Sequence, residues 1–190
     1  MRFFSLNLIP YEDRSLCFLD SVPEETRDVR YKMSQGYEMG VAYPSDARVY
    51  MSEEYPGFKL ASFVGNAQSL LIMSAQVKAV IERFGVPRVE YLPLAIYNHK
   101  RKLASSDYFI INPLGTLDCL HLKKSVIKYD GTDVVAVKQM VLDARKVANP
   151  PGLFRVKEAP NTYVFSEHLV AELVDIKPTN FYLHELAVSE

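Results

Sequence analysis

The sequence predicts an α+β fold with a mixed sheet: one domain over residues 1–190, with two related strand-helix-strand units (about 70–96 and 162–188) around a hairpin-rich middle. Three observations predict it. Short apolar runs with alternation, broken by Pro and Gly, recur along the chain as strands do. One segment, residues 75–84, has the period of a helix and a residue suited to each end. Laying the chain over itself with a shift of 92 positions puts Ser74 on Ser166 and keeps the following pattern in register.

Phe4, Leu6 and Leu8 alternate with Ser5 and Asn7, the period of a half-buried strand, which Pro10 with Glu12 and Asp13 then ends. Leu16 to Leu19 reads as a short second strand. Between Ser21 and Asn66 the pattern weakens under Pro23, Gly36, Gly40, Pro44, Pro56 and Gly57, so irregular connections and short strands are expected. Val77, Val80, Ile81 and Phe84 follow Ser74 on one helical face, and Gly85 stands where a helix end favours a left-handed residue. The apolar run Leu70 to Met73 precedes this helix and a strand from Val89 to Ile96 follows it. Tyr108 to Ile111 reads as a buried strand that turns at Asn112-Pro113-Leu114-Gly115. Asp130-Gly131 between Val126–Tyr129 and Val134–Val137 is a strong hairpin signal. Pro150-Pro151-Gly152 breaks the chain before Leu153–Val156.

In the shifted alignment, Val77 falls on Leu169, Ile81 on Leu173, Phe84 on Ile176, Val89 on Phe181, Leu94 on Leu186 and Ile96 on Val188, without a gap. Cap, apolar face and following strand are thus all repeated. Ser74 and Ser166 are read as helix caps and not as nucleophiles.

The 190 residues carry 22 Lys+Arg against 23 Asp+Glu, so no global positive field gathers nucleic acid or an anionic membrane. No stretch approaches the ~20 apolar residues that span a bilayer, and the N-terminal decapeptide makes a poor signal peptide. Cys17 and Cys119 have no metal-ligand spacing and read as reduced, buried residues. A cytoplasmic protein is expected.

Chemistry-bearing patterns are sparse. Cys119-x-His121 lacks partners for a zinc site. Ser166-Glu167-His168 lies at a helix start without a nucleophile elbow. No phosphate-cradling glycine pattern occurs, and the pairs Glu24-Glu25 and Glu53-Glu54 read as solvated loops. Catalytic, metal and cofactor residues are therefore assigned to none. The basic run Asn98-His99-Lys100-Arg101-Lys102 forms a positive knob, and Tyr43, Tyr50 and Tyr55 crowd the irregular segment. His99, Lys100, Arg101, Lys102, Tyr43, Tyr50 and Tyr55 are the candidate partner contacts, because aromatic anchors and charge complementarity carry protein interfaces.

Several segments resemble those of one bacterial family. They are the stretch from Tyr108-Phe-Ile-Ile-Asn-Pro-Leu-Gly through Asp118 to Ser125, then Leu153-Phe-Arg-Val-Lys157 and Val164-Phe-Ser-Glu-His-Leu169. Pro56-Gly-Phe-Lys-Leu60, Leu70-Leu-Ile-Met-Ser74 and Phe84-Gly85-Val86 match as well. The sequence resembles immunity protein family eleven of the polymorphic toxin systems, from about Pro44 to Leu186. The resemblance implies an antidote, encoded beside a secreted toxin, that binds the cognate toxin protein and blocks it without catalysis. It implies no catalytic residues. Asn112 and Asp118 match polar positions of the family pattern, and by themselves read as turn chemistry. The rival reading is a small-molecule binder or enzyme with a site built from Asn112, Asp118, Arg155 and a histidine. A self-assembling scaffold is a third reading, and homo-oligomerisation is compatible with either binding role.

Overall fold

A computed structural model describes residues 1–7 and 13–190. The strand end expected at Pro10 and Glu12 lies outside the described residues. The chain runs through β1 (Phe3–Asn7), β2 (Phe18–Leu19), a 3-10 turn (Glu24–Val29), α1 (Arg30–Gln35), β3 (Arg48–Tyr50), β4 (Phe63–Asn66), β5 (Ile72–Ser74), α2 (Ala75–Phe84), β6 (Val89–Tyr97) and β7 (Leu103–Pro113). It continues through β8 (Val126–Asp130), β9 (Asp133–Gln139), β10 (Val141–Asp143), β11 (Leu153–Val156), β12 (Ala159–Ser166), α3 (Glu167–Asp175) and β13 (Tyr182–Ser189). This is an α+β fold with mixed sheets. One sheet has the order β2-β4-β5-β7-β6-β3, a second β10-β13-β1-β12-β11, and β8-β9 forms a separate hairpin.

Helix α2 has the bounds that its periodicity predicts. Gly85 closes it in the left-handed region at φ 78°, its N–H bonded to the Glu82 carbonyl. The two caps differ. Ser166 Oγ accepts from the Leu169 N–H at 3.4 Å, whereas Ser74 holds the same extended N-cap geometry without a side-chain bond. Of the two serines read as caps, only Ser166 therefore caps its helix with its side chain. Pro93 is tolerated inside β6 because β3 pairs only with residues 95–97, so the missing N–H lies on the side where β6 has no neighbour.

The units at residues 70–96 and 162–188 occupy equivalent places in their sheets. Helix α2 joins the parallel strands β5 and β6, and β7 lies antiparallel between them. Helix α3 joins β12 and β13 in the same way, but the strand between them is β1, from the N-terminus. Each is a split β-α-β unit. The registers correspond: Met73 faces Phe109 as Phe165 faces Phe4, and Leu94 faces Tyr108 as Leu186 faces Phe3. The flanking strands follow, β4 on β5 as β11 on β12, antiparallel, and β3 on β6 as β10 on β13, parallel.

Alternation along these strands divides the apolar side chains between the two faces of each sheet. Ile72 and Ile110 point into one cluster with Val49, Leu94 and Ile96, while their neighbours Met73 and Ile111 point into a central one. The central cluster holds Val77 and Ile81 of α2, Leu169 and Leu173 of α3, and Tyr163 and Phe165 from the second sheet. The helices pack against each other there, with Arg83 and Glu172 paired at 2.9 Å on the rim. A third cluster, around Phe3, Val164 and Leu186, fills the far face of the second sheet and supports Ile127 and Val137 of the hairpin.

Candidate functional site

Strand β3 carries the sequence Arg48-Val49-Tyr50, and alternation buries Val49 while it leaves Arg48 and Tyr50 exposed. The chain then turns through buried Met51 and Ser52 to the acidic pair Glu53-Glu54. Beside it, β6 ends and the basic run makes the turn into β7. Asn98 builds that turn: its Oδ1 accepts from the Lys100 N–H at 2.9 Å and the Lys102 N–H at 3.1 Å, and its own N–H donates to the Lys102 carbonyl. Arg101 sits at φ 55°, in the left-handed region, at the bend.

Side chains tie the two segments together. His99 Nε2 lies 2.8 Å from the Ser52 carbonyl. The Arg101 guanidinium stands 5.2 Å from the centre of the Tyr50 ring, which lies 5.6 Å from that of Tyr97. A recess of about 420 Å³ opens between these groups, lined by Tyr50, His99 and Arg101 together with Asp20, Glu53 and Glu54. Tyr55 packs at the same end, its ring 4.9 Å from that of Phe18 and its N–H on Ser52 Oγ. Lys100 and Lys102 are exposed on the turn.

Of the seven candidate contacts, six therefore share one end of the first sheet. Tyr43 does not. It is half-buried against the first core cluster, its hydroxyl donates to the Pro93 carbonyl at 2.8 Å, and burial raises its pKa. Asp20 and Glu53-Glu54 are the lining residues that spacing misses. Residues 20, 53 and 98–101 converge only through the pairing of distant strands, so no local signal marks them.

The dispersed set Asn112, Asp118 and Arg155 resolves into two places. Arg155 is 1% exposed and lies over the Tyr163 ring. All of its N–H donors are used: Nε on the Pro113 carbonyl, Nη1 on those of Ser34 and Pro160, and Nη2 on the Met33 carbonyl and Asn112 Oδ1. Met33 and Ser34 end α1, so the guanidinium caps the negative end of that helix. Asn112 is not turn chemistry, because β7 continues through it into the core. Its amide donates to the Tyr37 carbonyl and to Glu90, whose carboxylate also accepts from the Met39 and Gly40 N–H groups. Asp118 instead pairs with Lys146 at 2.6 Å on the surface. No histidine joins either place among the hydrogen bonds of the described residues.

The remaining chemical candidates are held in structural roles. Both thiols are buried, and burial pushes Cys17 and Cys119 up to about 12, so neither ionises at neutral pH. Ser166 is committed to its helix cap. Among the described residues, no three His, Cys, Asp or Glu side chains stand together as a metal site. No helix among them is long and apolar enough to cross a membrane.

Fold and surface together define a class: paired split β-α-β units whose buried Arg155 and Asn112 join elements of the fold, and an open recess where aromatic, basic and acidic side chains meet. The chain belongs to the Immunity protein family (Imm11), whose profile matches residues 18–188. A search of curated proteins finds no match.

Proposed function

We propose that this protein is an antidote that binds a cognate toxin domain and blocks it by stoichiometric, non-catalytic contact, in the cytoplasm of the cell that makes the toxin. Membership of the immunity family across nearly the whole chain is the observation that carries this reading. The contact surface is the end of the first sheet that carries Tyr50, Tyr55, His99, Lys100, Arg101 and Lys102. The aromatic rings supply apolar area at low entropic cost, and the charges around them supply partner selection. The near balance of 22 basic and 23 acidic residues fits a protein partner better than nucleic acid or a membrane. The two units act as one domain, since the central cluster draws on both.

The test is co-expression with the C-terminal toxin domain encoded beside this gene. Growth is restored, and the purified proteins form a complex of fixed stoichiometry, without chemical change to the toxin. Failure to bind that domain, or turnover of the toxin or of a metabolite by this protein, overturns the proposal.

A further inference from the structure

A second recess, also of about 420 Å³, opens where the two units meet. Its walls are one side of α1, the β4–β5 connection at residues 67–70, and Pro160 with Asn161 at the start of β12. Strand β4 pairs with β5 as β11 pairs with β12, so equivalent ends of the two units come together here. Neither unit alone builds the recess.

Buried groups fix all three walls. Arg155 Nη1 donates to the Ser34 carbonyl on α1 at 3.0 Å and to the Pro160 carbonyl at 2.7 Å, so one side chain holds two walls together. The hydroxyl of Tyr163, whose ring lies against Arg155, donates to the Ser69 carbonyl on the third wall at 3.1 Å. Ser69 stays at φ 53°, in the left-handed region that a residue with a side chain seldom adopts, and Asn66 Oδ1 accepts from the Gln68 and Leu70 N–H groups on either side of it. Walls held in this way lose little freedom when the recess is filled.

The charge of the recess is one-sided. Its described lining holds one cation, Arg30, among hydroxyl, amide and apolar side chains, and no Asp or Glu. Arg30 is exposed, and no ion pair engages it among the described residues. Behind the walls Arg155 adds a second positive charge, which only neutral oxygens meet: four backbone carbonyls and Asn112 Oδ1. Two guanidinium groups without a facing carboxylate leave a positive potential that favours an anion.

This recess adjoins the one beside Tyr50 and Arg101. Asp20 and Ser21 line that recess and Val22 lines this one, while Gln68 Nε2 reaches from the second to donate to the Asp20 carbonyl at 3.0 Å. We infer that the toxin-binding surface continues across residues 20–22 into the second recess, where Arg30 holds an aspartate or glutamate side chain of the toxin. A guanidinium binds a carboxylate through two parallel N–H bonds, and the amides of Gln35 and Asn161 offer further donors on facing walls. A partner that set a lysine or arginine here would meet like charge, so the recess also selects between partners. This inference rests on the antidote reading.

The probe is again the toxin domain encoded beside the gene. Arg30→Glu reverses the charge on α1, and Asn161→Asp sets a carboxylate on the β12 wall. Both positions are exposed, so thermal melting shows a folded protein in each case, yet each weakens toxin binding about tenfold or more. With Arg30→Lys, a carbodiimide joins the introduced amine to a toxin Asp or Glu as an amide, located by peptide mass spectrometry. If Arg30→Glu fails to fold, Asn161→Asp and the cross-link decide. Wild-type affinity in the charge variants, or no cross-link at position 30 of a complex that forms, overturns the second recess and leaves the antidote reading standing. No wild-type binding overturns both.

Discussion

Arg155 lies 4.5 Å from the centre of the Tyr163 ring and Arg101 lies 5.2 Å from that of Tyr50, so the two pairs share a cation-π geometry. Their surroundings differ. Arg155 is buried, and each of its donors meets a carbonyl or amide oxygen drawn from α1, β7 and β12. Arg101 is exposed on a turn, and no ion pair engages it among the described residues. The ring contact therefore does not tell what an arginine does. The state of its N–H groups does: where protein oxygens take all of them the residue joins elements of the fold, and where they meet water they are available to a partner.

The strongest way to break the comparison is Arg155→Met, which keeps the aliphatic stem and removes every donor. Several buried oxygens lose their partner together, and the protein loses about 3 kcal/mol or more of stability, read as a lower urea midpoint. An unchanged midpoint would show that the cluster is not structural. Gly36→Ala tests the same cluster from its other side. Gly36 sits at φ 76°, and an added Cβ would lie 2.8 Å from Arg155 Cδ and 2.9 Å from the Pro113 carbonyl oxygen. A loss of about 1–3 kcal/mol is expected from strain and displacement of the guanidinium. Arg101→Met has the smallest effect on the fold, within about 0.5 kcal/mol, yet it weakens toxin binding. Equal destabilisation by Arg101→Met and Arg155→Met would remove the distinction.

The polar residues illustrate the limit of sequence reasoning best. Asn112 precedes Pro113 and stands near Gly115, so its neighbours read as a turn, and a turn does follow, with Gly115 at φ 76°. The side chain nevertheless belongs to a strand and joins Arg155, more than forty positions away, to Glu90. Asp118 likewise finds Lys146, 28 positions further along the chain. The candidate surface was legible in part for the same reason. The basic turn at 98–102 is a local feature and stands out in the sequence, while Asp20 and Glu53 join it only through strand pairing. Tyr43 shows the converse, since a tyrosine among prolines and glycines has no local signal that separates a surface anchor from the edge of a core.

By itself the sequence determined what operates within a few residues: helix α2 between Ser74 and Gly85, the β8-β9 hairpin around Gly131, and the apolar period that repeats after 92 positions. Side-chain periodicity and turn conformation act over such distances, so they leave a readable pattern. Tertiary structure alone decided that β1 completes the second sheet between β12 and β13, and that Arg155 gathers its oxygens from α1 and both sheets. Those outcomes depend on contacts between residues far apart in the chain. Their free energy is set by burial and by the pairing of backbone groups at the edges, neither of which has a local period to reveal it.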